Sequence, residues 1–550
     1  MSSAILTRTP LSAAEGPAGA LTRLLHAYES LARREMLACA VVLFLTLGIR
    51  AAMLPWRPPP VPFNVDEFSY LLGADTFASG RAANPPHPMW QHFETFHELM
   101  QPVYASKYPP LQSLVLAFGQ KVFGQPWAGV FLSAGLMCAA VCWMLQGWVT
   151  PNLALLGGLL CLLRIGVFSY WMNSYFGGAV AAIGGALVLG ALPRLWRRAQ
   201  PGHLITLACG LAILMHSRPW EGAVLGAAAL GVLAWTWKLA GRGPAPRPAA
   251  SSVVAAIAIL LVSLGAVAYL NWRITGSPFL MPHALYSRQY MFAPDFAILS
   301  LKPEPVYRHA AIRDANTGGQ VDVWRFAHDH VLDAVKDKAA EIYDFFFGFW
   351  PLMLAPLLWP YRLKTLEERA TVFILVLFLT VAIFPLSGFM LHYAAPITGL
   401  LYARFLQSLA RLQGWRPWGK RLGPALAVFF VAWFGIHFAA SAAMRISGGM
   451  PDPPFATARN SIAQELARMP GRQLVLVRYE PGHDPSDEWV WNRADIDGSK
   501  TVWARAMDPA KDRELIQYYR DRQLDRQVWM LDPDVFPLRL TPYSMKETPR

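Results

Sequence analysis

Apolar residues come in long unbroken runs along most of this chain, and polar residues gather in the gaps between them. A helix needs about 20 consecutive apolar residues to cross a bilayer core. Runs of that kind predict spans near 36–55, 128–148, 153–172, 177–195, 203–217, 219–237, 252–271, 343–361, 370–388, 393–411 and 424–443. The fold class read from this pattern is mainly α, a polytopic helical membrane protein of about eleven spans. One further apolar run, 111–123, is too short for a crossing and is followed by Gly124-Gln125-Pro126.

Charge decides how that run lies. If 111–123 does not cross, alternate loops collect Arg194, Arg197 and Arg198, then Lys238, Arg242 and Arg247, then Arg362, Lys364 and Arg369, then Arg411, Arg416, Lys420 and Arg421. The short loops opposite hold Arg218 alone. Basic residues mark the cytoplasmic side, so making 111–123 a span would invert the pattern at every loop. The run is expected to be an interfacial or re-entrant helix, beside a second amphipathic stretch at 68–78.

This orientation divides the chain. Residues 1–35, with Arg23, Arg33 and Arg34, are expected in the cytoplasm. Residues 36–443 form the membrane domain, with large outer loops at 56–127 and 272–342. Residues 444–550 change character: helical patterns at 456–469 and 509–522 alternate with strand-like 474–477 and 528–531. They predict a small C-terminal α/β domain on the periplasmic or extracellular side of a cell inner (plasma) membrane.

Composition narrows the classes. At 54% hydrophobic and 15% charged, the chain is more apolar than an ordinary soluble domain. The net charge of +13 sits in the loops already assigned to the cytoplasm, with no basic, aromatic-interleaved patch, so no nucleic-acid partner is expected. Cys39, Cys138, Cys142, Cys161 and Cys209 all fall in apolar segments, which implies neither a disulfide nor a zinc framework.

The chemistry is expected in the first outer loop, where Asp66 and Glu67 follow the first span and Lys107-Tyr108-Pro109-Pro110 precede the short apolar run. Near the end of the membrane domain stands His392-Tyr393-Ala394-Ala395-Pro396. In order and topology these motifs resemble the C-type fold (GT-C) integral membrane glycosyltransferases, in the branch with protein O-mannosyltransferases and the bacterial aminoarabinose transferase. That family carries an acidic pair, a Lys-Pro-Pro segment and an aromatic-Pro motif opening a late span; here Tyr108 separates Lys107 from the prolines. The resemblance implies inverting transfer of a sugar from a polyprenyl-phosphate carrier to a glycan, lipid or protein acceptor at the outer face. It makes Asp66 the base, with Glu67 orienting acceptor or base.

Lys107, with Tyr108, and Arg218, the exception to the charge rule, are the candidates for the donor phosphate. His392 and Tyr393 are candidates for contact with carrier or sugar. Each has a plainer reading: acids that complement a helix dipole, a snorkelling lysine, an Arg218–Glu221 pair, an aromatic interface anchor. The sequence implies no definite cofactor beyond the polyprenyl-phosphate sugar as donor substrate, and a divalent metal is left open. His87, His92, Glu94, His97 and Glu98 crowd one loop but lack the two-His, four-apart spacing of a helical zinc site. Asp495-Ile496-Asp497 before Gly498 reads as a turn, and glycine-rich 177–190 as close helix packing. Arg164 lies inside an apolar run with no assigned partner, the one feature that suits an alternative reading as a lipid or small-molecule transporter. A non-catalytic membrane scaffold is the third reading.

Overall fold

The structure, a computed structural model, describes residues 17–198, 200–240, 248–348, 353–358, 362–449 and 452–543. Helix α1 (Pro17–Ala32) lies before α2 (Glu35–Ala52), the first long apolar helix. Helix α3 (Val65–Ala78) starts at a capping box: the Asn64 side chain accepts from the Asp66 amide at 2.9 Å, and Glu67 Oε2 accepts from the Asn64 amide at 3.1 Å. A short antiparallel ribbon, β1 (Glu98–Leu99) with β2 (Ala105–Ser106), leads to α4 (Pro110–Phe123). Proline opens α4, and Gly124 at φ +70° ends it. At 1.5 Å per residue, its 14 residues reach only about 21 Å, short of a bilayer core. Leu114, Phe118, Val122 and Phe123 are exposed, while Gln112, Ser113, Leu116 and Ala117 are buried against protein.

Helices α5 (Trp127–Leu145), α6 (Pro151–Cys161), α7 (Gly178–Arg197), α8 (Pro201–Ser217), α9 (Pro219–Ala240) and α10 (Ala250–Thr275) follow. The long segment after α10 carries α11 (Pro282–Tyr290), α12 (Ala310–Asp314), α13 (Gln320–Asp329) and α14 (Val331–Phe347). Then come α15 (Leu354–Leu358), α16 (Leu366–Phe378), α17 (Thr398–Leu412) and α18 (Leu422–Ile446). By length and composition, α2, α5, α7, α10 and α18 are long and apolar enough to cross a membrane, among the described residues. Helix α8, and α6 with the π turn that extends it to Gly166, are shorter apolar helices. Helices α9, α16 and α17 occupy the other segments read as spans.

Two details differ from the sequence reading. The expected span 343–361 is not one helix: α14 is amphipathic, with Asp333, Lys336 and Asp337 along it, and it ends at Gly348, φ +83°. Residues 349–352 and 359–361 of that stretch lie outside the described ones. The expected spans 153–172 and 393–411 are also shorter, because irregular chain at 167–177, and irregular chain with two 3-10 turns at 384–397, replace α-helix next to π turns at 162–166 and 379–383. Such turns recur at functional sites. The glycine-rich stretch packs closely: a Cβ on Gly185 would come within 1.9 Å of the Pro396 carbonyl oxygen.

The C-terminal unit comprises α19 (Pro454–Arg468), β3 (Arg472–Val477), β4 (Thr501–Arg505), α20 (Pro509–Asp521), β5 (Arg526–Leu531) and β6 (Leu540–Pro542). Its sheet has the order β4-β3-β5-β6, with β3 parallel to both neighbours and β6 antiparallel. The unit sits on α3. Trp491 stacks on Phe68 and donates to its carbonyl at 2.8 Å, while Arg493 and the Ala494 amide both bond the Asp75 carboxylate. Helix α3 is thus enclosed between this unit and α4.

Candidate active site

The first turn of α3 points its two acids in different directions, as a 100° step between neighbours requires. Glu67 is fully buried. Its Oε2 accepts from the Phe63 and Asn64 amides at 3.1 Å each, and its Oε1 from the Tyr175 amide at 2.9 Å. Burial pushes this carboxyl up to about 7, against the pull of those three donors. Both oxygens are occupied by backbone, so Glu67 ties the loop before α3 to the irregular chain before α7 and presents nothing to a substrate.

Asp66 faces the other way, with its side chain 18% exposed. Its Oδ1 meets His97 Nδ1 at 2.5 Å and accepts from the Tyr108 hydroxyl, which also lies 3.0 Å from that nitrogen. Burial opposes ionisation of Asp66, but the His97 imidazole, the Lys107 ammonium and the Tyr108 hydroxyl together hold it well below the usual carboxylate range. His97 in turn is pushed down by burial and by Lys107, against the attraction of Asp66, so the imidazole is neutral.

Lys107 is buried with its Nζ over two rings, 4.7 Å from the centre of Tyr286 and 5.1 Å from that of Tyr108. Its amine forms no ion pair among the described residues, and burial lowers it to about 8 against the pull of Asp66 and Asp295. Tyr70 stacks on Tyr108 at 4.5 Å and lies within the field of Arg218. Arg218, in the turn between α8 and α9, covers the ring of Tyr393 at 4.5 Å, and its Nη2 has no hydrogen-bond partner among the described residues. Glu221 acts on it through its field. His392 is buried beside Tyr393, its Nδ1 3.1 Å from the Tyr170 hydroxyl.

The structure therefore brings Asp66, Lys107, Tyr108, Arg218 and Tyr393 to one aromatic-walled site, sets His392 behind Tyr393, and turns Glu67 away. Sequence reasoning missed His97, Tyr70, Tyr286 and Asp295. His97 was visible only as one of a crowd, and that crowd disperses: His87 bonds Asp497, His92 the Arg505 carbonyl, and Glu94 accepts from Tyr290. Asp295 pairs with His283 at 3.2 Å and acts on Lys107 through its field. Among the described residues no three His, Cys, Asp or Glu side chains converge to hold a metal ion. Asp495 closes a turn by accepting from the Gly498 amide. Arg164 does have partners, donating to His437 Nε2 at 2.7 Å and to the Asp344 carbonyl.

No protein-family model matches the chain, and no curated protein matches it in sequence. Among solved structures it is similar to the oligosaccharyltransferase of Archaeoglobus fulgidus in complex with zinc and sulfate, with TM-score 0.50 and 11% identity over 89% of this chain and 67% of that one. It is also similar to ArnT from Cupriavidus metallidurans in the apo state, with TM-score 0.47 and 13% identity over 94% of both chains. The fold is that of the C-type integral membrane glycosyltransferases, as the order of the sequence motifs implied.

Proposed function

We propose that the chain is a membrane glycosyltransferase that takes a hexose or pentose from a polyprenyl-phosphate carrier and passes it, with inversion, to an acceptor at the outer face of the plasma membrane. The observation that carries this reading is a largely enclosed carboxylate, Asp66, that lies in the field of the Lys107 ammonium and shares the neighbours Tyr70 and Tyr393 with the Arg218 guanidinium. Lys107 has no ion pair and Arg218 keeps an unpartnered Nη2 among the described residues.

Glycosyl transfer from a phosphate-linked donor requires those two kinds of group. The acceptor oxygen attacks the anomeric carbon while its proton passes to Asp66, and the bond to the carrier oxygen breaks with its electron pair leaving on phosphate. Lys107 and Arg218 stabilise the departing phosphate charge, more strongly than in water because the site is largely desolvated. The rings of Tyr70, Tyr108, Tyr286 and Tyr393 exclude water and offer faces on which a sugar and an isoprenoid can pack. Glu67 serves as a strut. The residues present do not fit a resident metal, since Glu67 is taken up by backbone and Asp295 by His283.

The test incubates the purified full chain in proteoliposomes with undecaprenyl-phosphate hexoses and pentoses and a panel of glycan, lipid and peptide acceptors. Donor-dependent transfer that disappears in Asp66→Asn supports the reading. Undiminished transfer by that variant removes Asp66 as base.

A further inference from the structure

The geometry points to His97 as a positioning residue that aims the Asp66 carboxylate, a role that rests on the glycosyl-transfer reading above. His97 has φ +62°, in the left-handed region that residues other than glycine rarely enter. Such a backbone persists where its surroundings over-determine it, and these cluster at functional sites. Here the His97 amide donates to the Tyr286 hydroxyl at 3.0 Å, while its carbonyl accepts from the Ser69 hydroxyl at 2.7 Å and the Lys107 amide at 3.2 Å. Three elements of the first and second outer loops thus fix one backbone unit. None of these bonds involves the imidazole.

What the fixed backbone achieves is the direction of the ring. It turns Nδ1 onto Asp66 Oδ1, and the edges of Tyr108 and Tyr286 pack against the ring at 5.9 and 5.8 Å. Largely enclosed and facing Lys107, Tyr108, Tyr286 and, further off, His283, the imidazole is neutral and donates through Nδ1–H. With the Tyr108 hydroxyl it holds one oxygen of the carboxylate and leaves Oδ2 without a hydrogen bond among the described residues. Oδ2 is then the atom that receives the acceptor proton as the acceptor oxygen bonds the anomeric carbon and the electron pair of the broken bond leaves on the carrier phosphate. A carboxylate held from one side keeps its aim; a free one rotates out of reach, and a misplacement of this size costs rate rather than binding.

Three variants separate this role from a structural one. His97→Gly accepts the positive φ and removes the ring. His97→Asn also tolerates that φ and sets an amide N–H near the position of Nδ1–H, but cannot titrate. Asp66→Asn reports on the underlying reading. Each is assayed in proteoliposomes by cleavage of the undecaprenyl-phosphate hexoses and pentoses, with water as acceptor.

For His97→Gly the expected result is a kcat lower by about 100-fold with donor KM within about twofold, and for His97→Asn recovery to within about fivefold of the natural rate. Added imidazole restores part of the His97→Gly rate. Natural rates in His97→Gly, a loss confined to KM, or a His97→Asn as slow as His97→Gly would each overturn the proposal, the last because it requires a titrating ring. Equal cleavage by the natural chain and Asp66→Asn would instead remove the glycosyl-transfer reading, whatever the His97 variants do.

Discussion

Helices α3 and α4 are both 14 residues long, successive α-helices of the chain and packed together, yet their burial reverses what their sequences lead one to expect. Helix α3 carries Asp66, Glu67 and Asp75 and is buried along most of its length. Helix α4 has Lys121 as its only charged residue and exposes Leu114, Phe118, Val122 and Phe123. In a membrane protein the apolar face seeks lipid as readily as protein, so hydropathy does not separate core from surface. Polar residues must instead find partners when they are enclosed. Asp75 finds Arg493, the Ala494 amide and Gln120, and Glu67 finds three backbone amides. Asp66 is the acid of α3 that keeps an oxygen without a bond among the described residues, and that remainder marks the site.

The sharpest way to break this contrast is at that oxygen. On the proposed reading Asp66→Asn removes the base and should lower transfer by about 10²–10⁴-fold, the usual worth of a general base, with apparent stability unchanged. A loss of fold instead of rate, seen in a thermal melt, would make Asp66 another structural acid like Glu67. The next largest effect belongs to the buried face: Phe68 is 2% exposed under Trp491, and Phe68→Ala should cost about 3–5 kcal/mol in denaturant unfolding. Between the helices, a Cβ on Gly73 would stand 2.4 Å from Ser113 Oγ and 2.9 Å from its Cβ. Gly73→Ala therefore should cost about 1–3 kcal/mol by overpacking, and a neutral result would show that the two helices slide apart freely.

Much of this arrangement was legible. The acidic pair after the first span, the short run 111–123, the late His392-Tyr393 turn and the alternating helix and strand patterns beyond residue 444 follow from periodicity, length and charge. The local part of the Glu67 role has a sequence signal that was passed over in favour of a role in orienting acceptor or base: Asn64 stands three residues before the glutamate, the spacing of a capping box. Its third bond, from Tyr175, lies 108 residues away in sequence and leaves no local trace. The same is true of Tyr286 under His97, and of the field Asp295 exerts on Lys107. His97 was hidden by its neighbours: five titratable residues within twelve positions suggest a cluster, whereas the chain fans them out to the candidate site, the C-terminal unit and the segment after α10. The span read at 343–361 failed for a different reason, since Phe345-Phe346-Phe347 belongs to the end of an amphipathic helix that Gly348 stops.

A smaller effect tests the cation that α3 faces. The Lys107 amine stands at about 8, so it is charged below that value and loses its charge above it. On the proposed reading the carrier phosphate binds the charged form. Affinity for undecaprenyl phosphate should then be level near pH 7.5 and fall toward tenfold per unit above about 8.5, until the higher value of the bound amine is reached. Lys107→Arg, charged throughout, should flatten that profile in a binding titration. A profile equally steep in the variant would assign the dependence to another group.

The smallest effect is the most direct reading of the comparison. Phe118 on α4 is 51% exposed, and its ring meets Phe123 at 6.1 Å in an edge contact along the same outer face. Phe118→Ala removes as many atoms as Phe68→Ala, but it leaves no cavity in a packed interior. It should change unfolding free energy by less than about 1 kcal/mol in the detergent where Phe68→Ala costs several, because surface substitutions away from packed sites are nearly neutral. If the two phenylalanines cost the same, the outer face of α4 is covered by protein. Its run of apolar residues would then have to be reread as part of a contact, and the enclosure of α3 would no longer distinguish the helix that carries the site.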